Sequence, residues 1–228
     1  YNEAEVVERF YSEVETATAG IADCAFSYLF IDDGSRDHTL AAIRTLADAH
    51  ENVHYIRFTR NFGKEPAMMA GLDYADGDAV ILMDADLQHP PSLIPELVMH
   101  WRAGFDDVCG KRTDRADETL LKRTMANLFY RSMQAVSRFT LQRDVGDFRL
   151  LDHRCVAALR LLRENQRFTK GLFTWVGFKK KEIPFHVHPR AAGKTTWSYL
   201  ALLSLAIEGI TSFTTAPLRL TTVLGLAV

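Results

Sequence analysis

Across its first 110 residues this chain alternates short apolar runs with stretches whose apolar residues recur at helical spacing, and few folds accommodate that alternation. Residues 3–18 carry Val6, Val7, Phe10, Tyr11 and Val14 at helical spacing, and residues 26–31 read as a strand ending at Asp32-Asp33-Gly34-Ser35. A helix capped by Ser35 or Asp37 then carries Leu40, Ile43 and Leu46. Residues 53–58 are a second strand, residues 63–74 a helix behind a glycine turn, and residues 79–83 a third strand. Pro91 opens a helix reaching Trp101, and residues 107–110 read as a short fourth strand. Strands and helices in this order predict an α/β fold, a Rossmann-like, mostly parallel sheet with helices on both faces.

Open sheets of this kind bind ligands just beyond the carboxyl ends of their strands, and polar residues gather there in this sequence. Asp84-Ala85-Asp86-Leu87-Gln88 follows the third strand. Two carboxylates so close repel each other unless a cation sits between them, and hard oxygen donors suit Mg²⁺ or Mn²⁺ carrying a phosphorylated substrate. Asp-x-Asp alone also occurs in exposed turns; the preceding strand and Gln88-His89-Pro90-Pro91 strengthen the ligand reading. Asp32-Asp33-Gly34-Ser35 ends the first strand, where a carboxylate can accept from a base N–H or a ribose hydroxyl; taken alone, it is an ordinary Asp-Gly turn. Arg60-Asn61-Phe62-Gly63-Lys64 follows the second strand and offers an amide, a glycine and cations, or simply good turn chemistry. Three successive strand ends facing one crevice favour a ligand site jointly.

From Lys111 the pattern changes. Residues 120–139 form a long basic helical stretch, followed by a loop at 143–148, a helix at 153–162, a short aromatic helix at 168–176, a strand at 178–185 and a helix at 197–210. Gly146-Asp147-Phe148-Arg149 places one carboxylate among apolar and basic residues, suited to orient an acceptor or act as a base. The plainer reading pairs Asp147 with Arg143 or Arg149. Ala192-Gly193-Lys194-Thr195 is not a P-loop, because His188 stands where that pattern needs glycine. His186 and His188 read as structural or solvated, and Phe129, Tyr130, Trp175, Trp197 and Phe213 as core or interfacial aromatics.

With 228 residues, 47% of them hydrophobic, the chain can bury a substantial core. Its net charge of −2 hides a split: residues 1–110 hold 7 Lys+Arg against 20 Asp+Glu, and residues 111–228 hold 20 against 9. An acidic half joined to a basic half suits a metal site beside a surface for a diphosphate, a lipid phosphate or an anionic membrane. No nucleic-acid recognition module accompanies the basic residues. Cys24, Cys109 and Cys155 are odd in number and far apart, which indicates neither a disulfide framework nor a zinc ribbon. The chain opens at Tyr1 without an initiator Met or a signal peptide. Residues 218–228 are apolar but shorter than a membrane span and read as the opening of a transmembrane helix, with an amphipathic or core helix as the alternative.

Three rival classes fit less well. A haloacid-dehalogenase-like phosphatase wants Thr or Val where Gln88 stands, and its acids normally follow the first strand. A nicotinamide-binding enzyme wants G-x-G-x-x-G, which is absent. A non-enzymatic membrane-docking module leaves the crevice acids unexplained. The ordered set Tyr1-Asn2-Glu3, Ile31-Asp32-Asp33-Gly34-Ser35, Arg60-Asn61-Phe62-Gly63-Lys64, Asp84-Ala85-Asp86-Leu87-Gln88, Gly146-Asp147-Phe148-Arg149 and Arg190-Ala191-Ala192-Gly193-Lys194-Thr195 resembles family 2 glycosyltransferases of the polyprenyl-phosphate type. These include bactoprenol glucosyltransferases and dolichol-phosphate mannosyltransferases, and the Asn-Phe-Gly-Lys and Gly-Asp-Phe-Arg versions look most like the bactoprenol branch.

The resemblance implies a GT-A fold, a nucleotide-sugar donor of the UDP-glucose or GDP-mannose type, Mg²⁺ or Mn²⁺, a polyprenyl phosphate acceptor and inversion at the sugar. It implies Tyr1, Glu3 and Asp33 at the nucleoside, Asp84 at the nucleotide and the metal, and Asp86 with Gln88 completing the metal site. Asp147 would be the base on the acceptor side, and Lys64, Arg190 and Lys194 would meet phosphates. In that scheme residues 1–112 form the nucleotide-sugar part of a GT-A domain whose first strand is missing, and 113–196 the acceptor part. Residues 197–228 form an interfacial helix and the truncated start of a transmembrane helix. The implied setting is the cytoplasmic face of a bacterial inner membrane, with nucleic acid excluded and homo-oligomerisation left open.

Overall fold

Helix α1 (Val7–Thr18) buries Val7, Tyr11, Val14 and Thr18, one stripe at i, i+4, i+7 and i+11. That stripe serves two cores: Val7 and Tyr11 pack with Ile43, Leu46 and Val53, while Val14 joins Ile94, Leu97, Val108, Phe148 and Leu150. The computed structural model describes residues 1–113, 145–163 and 169–186. After α1 come β1 (Tyr28–Asp32), α2 (Thr39–Ala49), β2 (Val53–Arg57), α3 (Lys64–Tyr74) and β3 (Ala79–Leu82). A 3-10 turn (Pro91–Leu93) leads into α4 (Ile94–Arg102), then β4 (Asp107–Arg112), β5 (Val145–Asp152), α5 (His153–Leu161), α6 (Thr169–Trp175) and β6 (Lys180–Phe185).

The chain divides into two compact units. The first comprises Tyr1–Asp114, Val145–Leu161 and Phe178–Lys194 and holds every strand among the described residues. Of the second, α6 is described, a short helix with Thr169, Leu172 and Phe173 buried and Trp175 exposed. The helical stretches expected at 120–139 and 197–210 and the apolar tail lie outside the described residues. No helix among the described residues is long and apolar enough to cross a membrane.

The sheet corrects the sequence expectation. Strands β1 and β2 pair in parallel, Tyr28 opposite Val53 and Asp32 opposite Arg57. The remaining strands form a separate sheet in the order β3-β5-β4-β6, in which β5 runs antiparallel to β3 and β4, and β6 runs parallel to β4. The sheet is therefore mixed. Of residues 143–148, expected to be a loop, 145–148 are instead the first part of β5, whose Gly146 and Asp147 are poor strand formers that read locally as a turn, and 143–144 lie outside the described residues. The antiparallel sense has a functional consequence. With Leu82 opposite Arg149, the start of β5 lies beside the carboxyl end of β3.

Asp152, at the far end of β5, accepts hydrogen bonds from Trp101 Nε1 at 2.9 Å and from Arg154 N and Nε at 3.0 and 2.9 Å. Burial works to raise its pKa, but these bonds and the Arg154 charge hold it at about 2, below the ordinary 3.8. Because the folded value is the lower one, the group adds stability above pH ~4 that is lost as pH falls through about 2. The depression corresponds to about 2 kcal/mol. Asp152→Asn is therefore expected to unfold at lower urea than wild type near pH 6, with the gap closing toward pH 2. A gap independent of pH would refute this. Burial also pushes the Cys109 thiol to about 11 and the Cys155 thiol to about 12, so both behave as core residues rather than nucleophiles.

Candidate functional site

Three strand ends and the amino-terminal residues converge through backbone contacts. Asn2 N–H donates to Ser35 Oγ at 2.9 Å, Arg36 N–H to Asn2 Oδ1 at 3.0 Å and Glu3 N–H to Thr39 Oγ1 at 2.8 Å, so Tyr1-Asn2-Glu3 is tied to the loop after β1. That loop is joined to the loop after β2 by Asp33, whose two carboxylate oxygens accept from Phe62 N at 2.7 Å and Gly63 N at 2.9 Å. Asp33, expected at the nucleoside, thus acts in this structure as a clamp between the loops. Gly34 has φ +66, and a Cβ there would lie 2.5 Å from the Arg60 carbonyl carbon, so only glycine lets the two loops touch. Asp32, part of the strand-end motif but given no role of its own, is buried, and its Oδ2 has no hydrogen-bond partner among the described residues.

Beyond β3 the chain turns sharply through Leu87, which sits in the left-handed region at φ 58. That conformation is costly for leucine and tends to persist where a site requires it. It lets Gln88 N–H close back on Asp86 Oδ1 at 3.1 Å, with Asp86 and Leu87 both buried. His89 is 2% exposed, stacks on Phe148 at 5.2 Å and lies 5.6 Å from the Phe185 ring. Among the described residues neither ring nitrogen has a hydrogen-bond partner, and Nδ1 lies 4.0 Å from Asp84 Oδ2. Burial pushes this imidazole below its ordinary pKa against the opposing pull of Asp84, which favours a neutral ring with one N–H to donate.

Asp147 reaches the same place by a bulge. Cys109 faces Arg149 and Lys111 faces Val145, so β5 uses two more residues than β4 over that stretch. A bulge bends its strand and re-aims a side chain. Asp147 Oδ2 lies 2.7 Å from Lys64 Nζ, which also lies 2.7 Å from Asp84 Oδ2. Burial works to lower the Lys64 pKa, but Asp147 and Asp84 outweigh it and hold the ammonium above the ordinary lysine value. Arg149 does not pair with Asp147. Its guanidinium is fully buried, donates to Asp107 Oδ2 and Oδ1 at 3.0 and 3.3 Å, and grips the Gly146 carbonyl at 2.9 Å. One buried ion pair therefore braces the bulge that carries Asp147.

Of the residues singled out in the sequence, the structure gathers Lys64, Asp84 and Asp147 into one cluster. Asp86 and Gln88 share the turn beside it, and Tyr1, Glu3 and Asp33 lie on the tied loops. Arg190 and Lys194 lie outside the described residues. Among the described residues, no group of three His, Cys, Asp or Glu side chains is placed to hold a metal ion. Two carboxylates and an amide instead suit Mg²⁺ or Mn²⁺ in the mode where substrate phosphates and water complete the shell. The orphaned His89 N–H beside Asp84 fits the donor that commonly braces such a carboxylate. Sequence reasoning missed His89, Asp107 and the clamping role of Arg149. The signal for His89 was an imidazole between the acids and a proline pair; Asp107 carried none.

A profile described as Glycosyl transferase family 2 matches residues 1–159. The chain is 42% identical over 228 residues to a prophage bactoprenol glucosyl transferase homolog of Escherichia coli (strain K12), covering 100% of this chain and 74% of that protein. The bactoprenol glucosyl transferase of Shigella phage SfV gives the same 42%, 100% and 74%. An uncharacterized glycosyltransferase of Synechocystis sp. is 39% identical, covering 99% and 70%. Among solved structures, the Pyrobaculum calidifontis mannosyltransferase in complex with GDP-Man and Mn²⁺ superposes with a TM-score of 0.54 at 18% identity, over 81% of this chain and 52% of that one. This chain therefore spans about half the length of that enzyme, and the likeness shows a GT-A-like α/β fold.

Proposed function

Because the chain belongs to glycosyl transferase family 2, we propose that it is an inverting hexosyltransferase that moves a sugar from a nucleotide sugar to a membrane polyprenyl phosphate. Glucose from UDP-glucose is the donor best supported, since whole-chain relatives are named bactoprenol glucosyl transferases. The observation that carries the reading is the meeting of Lys64, Asp84 and Asp147 at the strand ends. One site there joins an acid for the donor side, an acid for the acceptor side and a cation between them.

In this reading an oxygen of the lipid phosphate attacks the anomeric carbon as the bond to the nucleoside diphosphate breaks, with inversion. The phosphate is already anionic near neutral pH, so Asp147 chiefly orients the acceptor and takes up its proton when one remains. Tyr1, Glu3 and Asp33 hold the loop that receives the nucleoside, and Lys64, Arg190 and Lys194 meet the phosphates. Asp84, Asp86 and Gln88 would hold a divalent ion, Mg²⁺ or Mn²⁺, which when bound would supply neutralising charge for the leaving diphosphate. Residues 1–112 serve the donor, 113–196 the acceptor, and 197–228 the membrane, which puts the reaction at the cytoplasmic face of a bacterial membrane.

Membranes carrying the full chain, incubated with labelled UDP-glucose or GDP-mannose and undecaprenyl phosphate, are expected to form a sugar-lipid from UDP-glucose. Release of inorganic phosphate from a small phosphomonoester, with no sugar-lipid from either donor, would overturn the reading in favour of a phosphatase.

A further inference from the structure

Lys64 is the first residue of α3, follows Gly63 at φ 97, and keeps 43% of its side chain exposed while its ammonium touches both Asp84 and Asp147. The same Asp84 is the residue assigned above to a divalent ion. Two cations beside one carboxylate repel each other, and the loss is larger where water is partly excluded. From this juxtaposition we infer that Lys64 is an internal counter-cation that competes with the divalent ion for Asp84 and yields it when a nucleoside diphosphate offers the ammonium another anion. Metal binding is thereby conditional on the nucleotide. The inference rests on the transferase reading and goes beyond it, because it sets an order of assembly within the site.

Three observations support the exchange. A lysine head is a compact charge on a flexible stem, and this one is exposed enough to swing. The side chains available for the ion, Asp84, Asp86 and Gln88, make an incomplete shell that needs phosphate oxygens, so the ion gains most when the diphosphate arrives. His89 Nδ1, 4.0 Å from the same Asp84 oxygen that Lys64 holds, is a buried nitrogen with no hydrogen-bond partner among the described residues. It is placed to brace Asp84 once Lys64 departs, so the carboxylate need not change partners in open solvent. While Lys64 remains, it also engages Asp147 Oδ2, so the acceptor-side acid is occupied until the donor is in place.

The test is a Mn²⁺ titration of the full chain in detergent, reading unbound Mn²⁺ by electron paramagnetic resonance, with and without UDP or GDP. Wild type and Lys64→Arg are expected to bind Mn²⁺ weakly alone and more tightly with nucleotide. Lys64→Met is expected to bind Mn²⁺ alone roughly tenfold more tightly than wild type, within the ~5- to 150-fold range of ordinary coupling between sites. It should also gain less from nucleotide. Lys64→Gln repeats the comparison with a neutral polar side chain, and circular dichroism checks that each variant is folded. Mn²⁺ affinity in folded Lys64→Met and Lys64→Gln no higher than wild type, without nucleotide, would overturn the inference. Failure of wild type itself to bind Mn²⁺ with either nucleotide would overturn it together with the metal assignment. Loss of sugar transfer alone is a separate result, read in the membrane assay.

Discussion

Asp86→Ala is expected to lower sugar transfer by roughly 10³-fold, the scale seen when a charge-stabilising group is removed from a site where charge develops. Asp86 is buried, accepts the Gln88 N–H at 3.1 Å and sits one residue from the strained Leu87, so the turn is shaped around its carboxylate. Asp84 differs in being tied to Lys64, an alternative cation. Asp86→Ala should therefore lose Mn²⁺-stimulated transfer and leave the overall fold intact, whereas Asp147→Asn should lose roughly 10²-fold while its residual transfer remains stimulated by Mn²⁺. Initial rates of sugar-lipid formation against Mn²⁺ concentration distinguish the two. Retention of a tenth or more of the wild-type rate by Asp86→Ala would remove it from the site.

Asp107→Ala is expected to destabilise the protein by about 3–5 kcal/mol, because it removes the carboxylate that neutralises the Arg149 guanidinium in the core. Asp107 and Arg149 are 0% and 2% exposed, and Lys180 Nζ lies 3.5 Å from the same carboxylate. The melting temperature should fall by on the order of 10 °C. Replacing both partners by apolar residues, Asp107→Leu with Arg149→Met, should recover part of the stability, because the guanidinium is then no longer stranded, while Lys180 still loses the same carboxylate. It should not recover transfer, because Arg149 also grips the Gly146 carbonyl and so braces the bulge that presents Asp147. A loss under about 1 kcal/mol for Asp107→Ala would show that the pair is not sealed from water as its burial implies.

Much of the first unit was legible because its signals are local. The stripe of Val7, Tyr11 and Val14, the run ending in Asp32, and Pro91 at the start of a helical turn were each recognisable within a few residues. The site was legible as three polar strand ends for the same reason. Strand β5 was not. Gly146 and Asp147 favour turns, and Arg149 reads as a partner for its neighbour Asp147 until Asp107, 42 positions earlier, is placed against it. A sequence pattern cannot announce that a buried arginine has its partner. The mixed sheet followed from the same blind spot, since the antiparallel strand enters between β3 and β4 from a distant part of the chain.

The sequence by itself determined the alternating architecture, the residue types at three strand ends and, through their ordered motifs, the family. These rest on local periodicity and on chemistry carried by adjacent side chains. Only the tertiary structure decided what those groups do to one another. It gave Asp33 two backbone amides to hold, turned Arg149 away from Asp147 and toward Asp107, and set one lysine between Asp84 and Asp147. The physical reason is that Coulomb and hydrogen-bond energies depend on distances of a few ångströms. Pairing and register across the sheet, not separation along the chain, set those distances.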